Sequence, residues 1–285
     1  MNVHPRITIV TPSYNQAHFL EQTILSVIRQ GYPNLEYIVI DGGSTDGSVD
    51  VLRKYEHAIS CWISEPDQGP VDAINKGFRR ATGSILAWLN ADDLYQPGAL
   101  EGVAAAFEAD ESADVVYGNT YWINRDGVVL AEKRQTPFSR LGYRYGGSDL
   151  QQPATFWRRR LFEKSGGLDP HFKAAFDTEL FFRFIACGAR FRHVDAFFAS
   201  FRVHSEQISD VLMSTARKEV ELIRSRHLKY SAHSMQGAVL RNLGRLQRVL
   251  WYLRQGDFLW LISRIPDRLK SRALNEAAGP RSKWV

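Results

Sequence analysis

ILAWLNADD, Ile85–Asp93, starts as an apolar run and finishes in two adjacent carboxylates. Its first five residues read as a buried strand. Two ionised carboxylates side by side at the edge of a core repel each other, and folding does not require them. Asp92 and Asp93 therefore call for a chemical explanation.

The same organisation recurs on both sides of this segment. RITIVTPSYN reads as a strand running into a polar loop, and HFLEQTILSVIRQG as a helix with Leu20, Ile24, Val27 and Ile28 on one face. LEYIVIDGGS and ISCWISE are further strands, separated by the short helix SVDVLRKYE. PVDAINKGFRRATG is a helix opening with proline and closing near glycine. After the NADD segment come a helix, PGALEGVAAAFEA, and a fifth strand, ADVVYGNTYWI. Strand–helix alternation with short connections predicts an open, mostly parallel, Rossmann-like α/β sheet with helices on both faces. Beyond Ile123, NRDG reads as a hairpin turn, and residues 134–153 lack clear periodicity. QQPATFWRRRLFEKSGGLD gives a short strand and a helix, DTELFFRFIACG a helix with acidic residues at its start, and FFASFRVH a closing strand.

In a doubly wound sheet, ligands bind outside the carboxyl ends of the strands. Here those ends carry Thr11-Pro12-Ser13-Tyr14-Asn15, Asp41-Gly42-Gly43-Ser44, Glu65-Pro66-Asp67-Gln68-Gly69 and Asn90-Ala91-Asp92-Asp93. Any one of them is explained by a turn or a helix cap, and Ser44 and Asp46 are best read that way. Four in register point to a binding cleft. The chain contains neither G-x-G-x-x-G after the first strand nor a G-x-x-x-x-G-K-S/T loop, so no glycine loop cradles phosphates. A cleft lined by carboxylates accepts a diphosphate when a divalent cation bridges the two. Asp92 and Asp93 are hard oxygen ligands suited to Mg2+ or Mn2+.

TPSYN, VIDGGSTDGS, EPDQGPVDAINKGFRRATG and LNADD, in this order, resemble the inverting glycosyltransferases of family 2, above all the bacterial enzymes that build surface polysaccharides. The resemblance spans roughly residues 5–205 and implies the GT-A fold. It implies a nucleotide-sugar donor, UDP-linked first, with dTDP- or GDP-linked donors as alternatives. Thr11, Pro12 and Tyr14 then border the nucleotide. Asp41 accepts a hydrogen bond from the nucleobase, and Asp67 flanks the same pocket. Asn75 and Lys76 lie on the helix beside nucleotide and sugar. Asn90 stands where the family carries the first acid of its D-x-D motif, an amide in place of a carboxylate. Asp92 is the first choice for the metal, with Asp93 sharing it or contacting the ribose. FRVHSEQIS places Arg202 and His204 after the last strand, where relatives carry a group reaching the metal or pyrophosphate.

Inverting transfer needs a base for the acceptor hydroxyl. The resemblance assigns it to Asp177 of FDTELFFRF, although Phe176 replaces the family's usual preceding glutamate. Glu179, in the same first turn, is an acceptor contact or a helix-dipole partner. Gln151 and Gln152 of QQPATFW fall on the acceptor side, where they could hydrogen-bond sugar hydroxyls.

Charge divides the chain. Residues 1–213 carry a net charge of −5 and residues 214–285 a net charge of +10. This gives a transferase domain over residues 1–210, with a nucleotide-sugar half at 1–123 and an acceptor half at 124–210. A basic helical extension follows at 211–285. In it Val239, Leu243, Leu246, Leu250 and Leu253 share one helical face and Arg241, Arg245 and Arg248 another. Phe258, Trp260, Leu261, Ile262, Ile265 and Leu269 follow, alternating with Arg264, Arg268 and Arg272 and interrupted by Pro266. Basic amphipathic helices suit an anionic membrane surface, and so a lipid-linked acceptor met there. The alternative is an appendage packed on the catalytic domain. Cys61 and Cys187 are the only cysteines, the opening lacks the pattern of a signal peptide, and no run of 18 apolar residues exists. A cytoplasmic protein at the inner face of the cell membrane is expected. Competing functions are an inactive carbohydrate- or nucleotide-binding relative of the GT-A fold and, through the basic tail, a nucleic-acid-binding protein. The acidic body has no basic groove, so nucleic acid is not expected as a partner.

Overall fold

The computed structural model describes residues 4–146, 150–204 and 212–254. The aromatic and arginine pattern expected between residues 258 and 272 lies outside the described residues.

Among the described residues, nine strands form one sheet: β1 (Ile7–Ser13), β2 (Leu35–Asp41), β3 (Cys61–Ser64), β4 (Ile85–Trp88), β5 (Leu94–Tyr95), β6 (Val115–Ile123), β7 (Val129–Lys133), β8 (Thr155–Arg158) and β9 (Phe191–Arg202). Their order is β3-β2-β1-β4-β8-β6-β9-β5, with β7 pairing β6. The strands β3-β2-β1-β4 are parallel throughout. Antiparallel β8 then separates β4 from β6, and β6 again runs parallel to β9. The carboxyl ends of β1, β2, β3, β4, β6 and β9 thus share one rim, as a GT-A sheet requires.

The helices are α1 (Ala17–Ile28), α2 (Ser48–Tyr55), α3 (Pro70–Arg80), α4 (Ala99–Ala109), α5 (Arg140–Tyr145), α6 (Arg159–Ser165), α7 (Phe176–Ala186), α8 (Met213–His227) and α9 (Met235–Arg254). Both sheet faces are covered. One core gathers Leu20, Ile24 and Val27 of α1 with Leu100, Val103 and Phe107 of α4 under Ile9, Val39 and Ala87. The other gathers Val71, Ile74 and Phe78 of α3 with Leu180, Phe181 and Phe184 of α7 over Val10, Ile40, Trp88 and Trp157. Strand β4 alternates between these cores: Ile85 and Ala87 face one, Leu86 and Trp88 the other. That accounts for its unbroken apolar run. Helix α3 sits close on β1 because Gly77 has no Cβ; one built there would collide with the Val10 side chain.

The closing strand is longer than FFASFRVH suggested. It begins at Phe191, which pairs with Val115, because polar Arg192, His193 and Asp195 ride on a strand anchored by β6. Periodicity also left α5 unannounced, since six residues are too few to display it. In the tail, α8 and α9 pack on the domain. Helix α9 lies so close to α5 that a Cβ on Gly244 would sit 2.6 Å from Gly142 Cα. Ser139 Oγ donates to Gln247 Oε1 across the same contact. The face of α9 turned inward is the one bearing Gly237, Gly244 and Tyr252, with Arg241 and Arg248 half-buried beside them. Met235, Val239, Leu243, Leu246, Leu250 and Leu253 face outward and are 40–79% exposed.

Candidate functional site

The rim begins where β1, β2 and β3 end in register, at Ser13, Asp41 and Ser64. Asp41 is fully buried. Its carboxylate accepts from Gly43 N at 3.2 Å, Ser44 N at 2.9 Å, Ser44 Oγ at 2.5 Å and Ser64 Oγ at 2.7 Å. The acid expected to meet a nucleobase thus also closes its own turn. Ser44 and Asp46 act locally, as anticipated. Ser44 Oγ accepts from Asn15 N, and Asp46 accepts from Ala17 N and Ser48 N at the starts of two helices. Asn15 holds a left-handed backbone, φ 51°, and its side chain accepts from Thr45 N. Asparagine is one of the few residues that tolerate this conformation.

Thr11 and Pro12 are buried in β1, with Thr11 Oγ1 accepting from the Tyr37 hydroxyl at 3.1 Å, whereas Tyr14 is 62% exposed beyond the strand end. Asp67 lies against Gly42, where any Cβ would meet its Oδ2 at 2.9 Å. Its Oδ1 accepts from Gly69 N. Burial pushes its carboxyl up, with the nearby Asp41 and Asp72 charges adding to the shift against Lys76. Lys76 pairs with Glu65 at 3.1 Å and Asp72 at 3.4 Å. Asn75 serves as a clamp: its amide donates to Leu168 O and accepts from Leu168 N, tying α3 to the GGLD loop after α6.

The NADD segment is a turn closed by Asp93 N donating to Asn90 O at 3.1 Å. Thr23 Oγ1 of α1 steadies it through Ala91 O and Asp93 O. The two carboxylates then part. Asp93 is fully buried, accepting from Arg202 N at 2.9 Å and from Asn90 Nδ2 at 3.3 Å. Burial, with the Asp92 charge next to it, raises the Asp93 carboxyl well above the usual range. Asp92 instead turns to His204, its Oδ2 3.0 Å from Nε2. The two neighbours thus take different partners, Asp92 the His204 ring and Asp93 the Arg202 backbone. Arg202 is a buried strut. Its guanidinium donates to Asp92 O, Asn124 O, Arg125 O and Gln22 Oε1, and its carbon lies 4.8 Å from the Phe19 ring centre.

Asp92 and His204 form a mixed oxygen–nitrogen pair. Among the described residues no group of three or more histidine, cysteine or acidic side chains is gathered to cage a metal. Two protein ligands fit a divalent cation whose remaining positions go to phosphate oxygens and water, the usual arrangement at diphosphate sites. The residues present therefore suit a bridging cation. They do not form a closed structural metal centre.

Across the sheet, the Phe176 ring packs 5.9 Å from that of Trp88, the last residue of β4. Helix α7 thus starts beside the strand that delivers the NADD turn. Asp177 is half-buried in its first turn, and Oδ1 accepts from Thr178 N at 2.6 Å. Burial raises its carboxyl above the ordinary value, partly offset by that hydrogen bond. Glu179 is buried and committed to Arg183, whose guanidinium donates to it at 2.6–2.8 Å. Gln152 is buried, donating to Trp88 O at 2.8 Å, while Gln151 Oε1 accepts from Trp122 Nε1 at 3.2 Å. Two polar contributors were not singled out in the sequence. Ser64 was detectable as the polar end of ISCWISE in line with Asp41. Glu219 of α8 was not, because its partners are backbone N–H groups at Lys173, Ala174 and Ala175.

The family model described as "Glycosyl transferase family 2" matches residues 8–178. An uncharacterized glycosyltransferase of Mycobacterium tuberculosis is 33% identical over 186 residues, covering 64% of this chain and 70% of the relative. A PGL/p-HBAD biosynthesis glycosyltransferase of Mycobacterium bovis is 31% identical over 207 residues, 67% of this chain and 75% of the relative. Among solved structures, S. aureus TarS 1–349 in complex with UDP-GlcNAc has a TM-score of 0.63 at 18% identity, over 80% of this chain and 69% of that one. Mannosyltransferase PcManGT from Pyrobaculum calidifontis, in complex with GDP-Man and Mn2+, has a TM-score of 0.56 at 21% identity, over 80% and 63%. At these identities the two structures speak to the fold. With the family model, the curated relatives and the sheet with its rim all in agreement, the chain belongs to glycosyl transferase family 2 and is a glycosyltransferase.

Proposed function

We propose that this glycosyltransferase takes a sugar from a nucleoside diphosphate donor, UDP-linked first and dTDP- or GDP-linked otherwise. It passes the sugar, with inversion, to a hydroxyl of a lipid-linked glycan acceptor in polysaccharide biosynthesis. The observation that carries the reading is the pairing of Asp92 with His204 on the rim, beside the strand end against which the Asp177 helix packs. Donors in the complexes of structural neighbours, UDP-GlcNAc and GDP-Man, support the donor class, and the M. bovis relative's biosynthetic name supports glycan assembly.

In this reading Thr11, Pro12, Tyr14, Asp41 and Asp67 surround the nucleoside, with Asn75, Lys76 and Asn90 toward the ribose and sugar. Asp92 and His204 would hold Mn2+ or Mg2+; when bound, the cation offsets the charge that grows on the departing diphosphate. Asp93, buried behind Asp92, would act through the turn it anchors. Asp177 accepts the acceptor's hydroxyl proton as that oxygen bonds to the anomeric carbon. The bond from that carbon to the diphosphate oxygen breaks on the opposite face. A carboxyl raised by burial is better matched to this duty than an ordinary one, since a base works best with a pKa approaching the operating pH. Gln151, and Gln152 and Glu179 through the backbone and arginine they hold, shape the acceptor side.

Thermal-shift screening of UDP-, dTDP- and GDP-sugars with and without Mn2+ tests the donor assignment. Anomeric configuration of the product, read by NMR, tests inversion. A retained configuration, or no stabilisation by any donor, sinks the proposal.

The tail belongs to the same proposal as a peripheral contact with an anionic membrane at the cytoplasmic face. Among the described residues no helix is long and apolar enough to cross a membrane. The outward apolar stripe of α9 is instead suited to lie in a headgroup layer. Vesicle flotation with anionic lipid should carry the wild-type chain upward and leave a Leu243→Ser/Leu246→Ser/Leu250→Ser variant at the bottom. Equal flotation of both would remove the stripe from the account.

A further inference from the structure

Helix α7 lacks a side-chain acceptor at its N-cap position. Ala175 precedes its first residue and has no side-chain oxygen to offer the exposed N–H groups. The loop leading into α7 is held from α8, beyond the end of the family match at residue 178. Glu219 Oε1 accepts from Lys173 N at 2.7 Å, and Oε2 accepts from Ala174 N at 3.0 Å and Ala175 N at 2.8 Å. Three consecutive backbone donors converge on one buried carboxylate. A negative charge at a helix N-terminus also opposes the macrodipole favourably. Helix α8 is itself well seated: Ile223 is fully buried in the α7-side core, and the His227 ring lies 5.5 Å from that of Phe182 on α7. An acid on a strongly basic extension thus fixes the three residues leading directly into Phe176 and Asp177.

We propose that Glu219 is a positioning residue for the transfer reaction: by gripping residues 173–175 it sets where α7 begins and holds the Asp177 carboxylate at the acceptor hydroxyl. The inference rests on Asp177 being the base. It makes the C-terminal extension part of the catalytic apparatus, whatever surface its outer face meets.

The test compares full-length Glu219→Ala, Glu219→Gln, Asp177→Asn and the Glu219→Ala/Asp177→Asn double variant. The probe is the nucleotide-sugar giving the largest thermal shift with Mn2+, followed as release of its nucleoside diphosphate. Glu219→Ala should lower kcat roughly 10²-fold, as a displaced catalytic group does. Donor KM should stay within about twofold of wild type, separating loss at the chemical step from loss of binding. Glu219→Gln, keeping one acceptor oxygen, should fall between. The double variant should turn over no more slowly than Asp177→Asn alone, because Glu219 acts through that residue. A kcat unchanged in the folded Ala variant overturns the inference, as does a donor KM that rises in step with the lost kcat. An equal further loss in the Asp177→Asn background overturns it too. Should the Ala variant not fold, an unchanged kcat in the Gln variant overturns it alone. An active Asp177→Asn enzyme removes both the base assignment and this inference. An inactive one with unaffected Glu219 variants removes only the latter.

Discussion

His204 Nε2 stands 3.0 Å from Asp92 Oδ2 although the two residues are 112 positions apart. The contact is built by β-pairing. Leu94 and Tyr95 pair with Ser200 and Ala199, which sets Arg202 N against Asp93 and places the residues flanking that bond, Asp92 and His204, side by side. Asp93 is thus the internal anchor that lets its neighbour face the rim.

If this pair holds the cation, either side chain alone should weaken it. Asp92→Asn and His204→Ala should each lower turnover about 10²–10³-fold, as loss of one preorganised charge-stabilising group does. Both should abolish the Mn2+-dependent part of the donor's thermal shift. Turnover titrated against Mn2+ after EDTA treatment is the check. A His204→Ala enzyme with wild-type Mn2+ dependence would exclude the imidazole.

Asp177→Asn is expected to cut transfer by about 10²–10⁴-fold, the usual contribution of a general base. Donor affinity, measured by calorimetry, should remain close to wild type. Loss of affinity alongside activity would place Asp177 in donor binding.

The same substitution has a stability signature. The folded Asp177 carboxyl is raised by burial, so folding favours its protonated form. Its stabilising contribution is present below the unfolded value of about 4 and is lost as pH rises through the raised folded value. The Tm of Asp177→Asn minus that of wild type should therefore increase from pH 4 toward neutrality and then level off. A difference that is flat or falls over that range contradicts a carboxyl raised in the folded state.

Gly244→Val should detach α9 from α5. Its Cβ would meet Gly142 Cα at 2.6 Å, backbone that has no flexible end to yield. Overpacking of this kind costs about 1–3 kcal/mol. Limited proteolysis should cut the tail of the variant faster than that of wild type while the transferase domain keeps its Tm. Equal cleavage rates would mean that this contact does not hold the helix.

Much of this protein is written in local pattern. Strand–helix alternation and a continuous apolar run at Ile85–Leu89 specify a sheet covered on both faces, because side-chain periodicity depends only on backbone geometry. Polar residues at four strand ends locate the rim for the same reason: parallel strands finish on one side. Periodicity also sorts α9 into a leucine face and an arginine face, but it does not say which one is covered. Packing of Gly244 on Gly142 makes that choice and leaves the leucines outside. Nor can adjacency in sequence separate Asp92 from Asp93. Their opposite orientations come from Arg202 and His204 on β9 and just beyond it, more than a hundred residues away. Asn75 gripping Leu168, Gln152 reaching Trp88 and Glu219 holding residues 173–175 are likewise side chain–backbone bonds across the fold. A backbone N–H or carbonyl is the same group in every residue, so such partners leave no trace in the sequence and exist only once the chain has closed on itself.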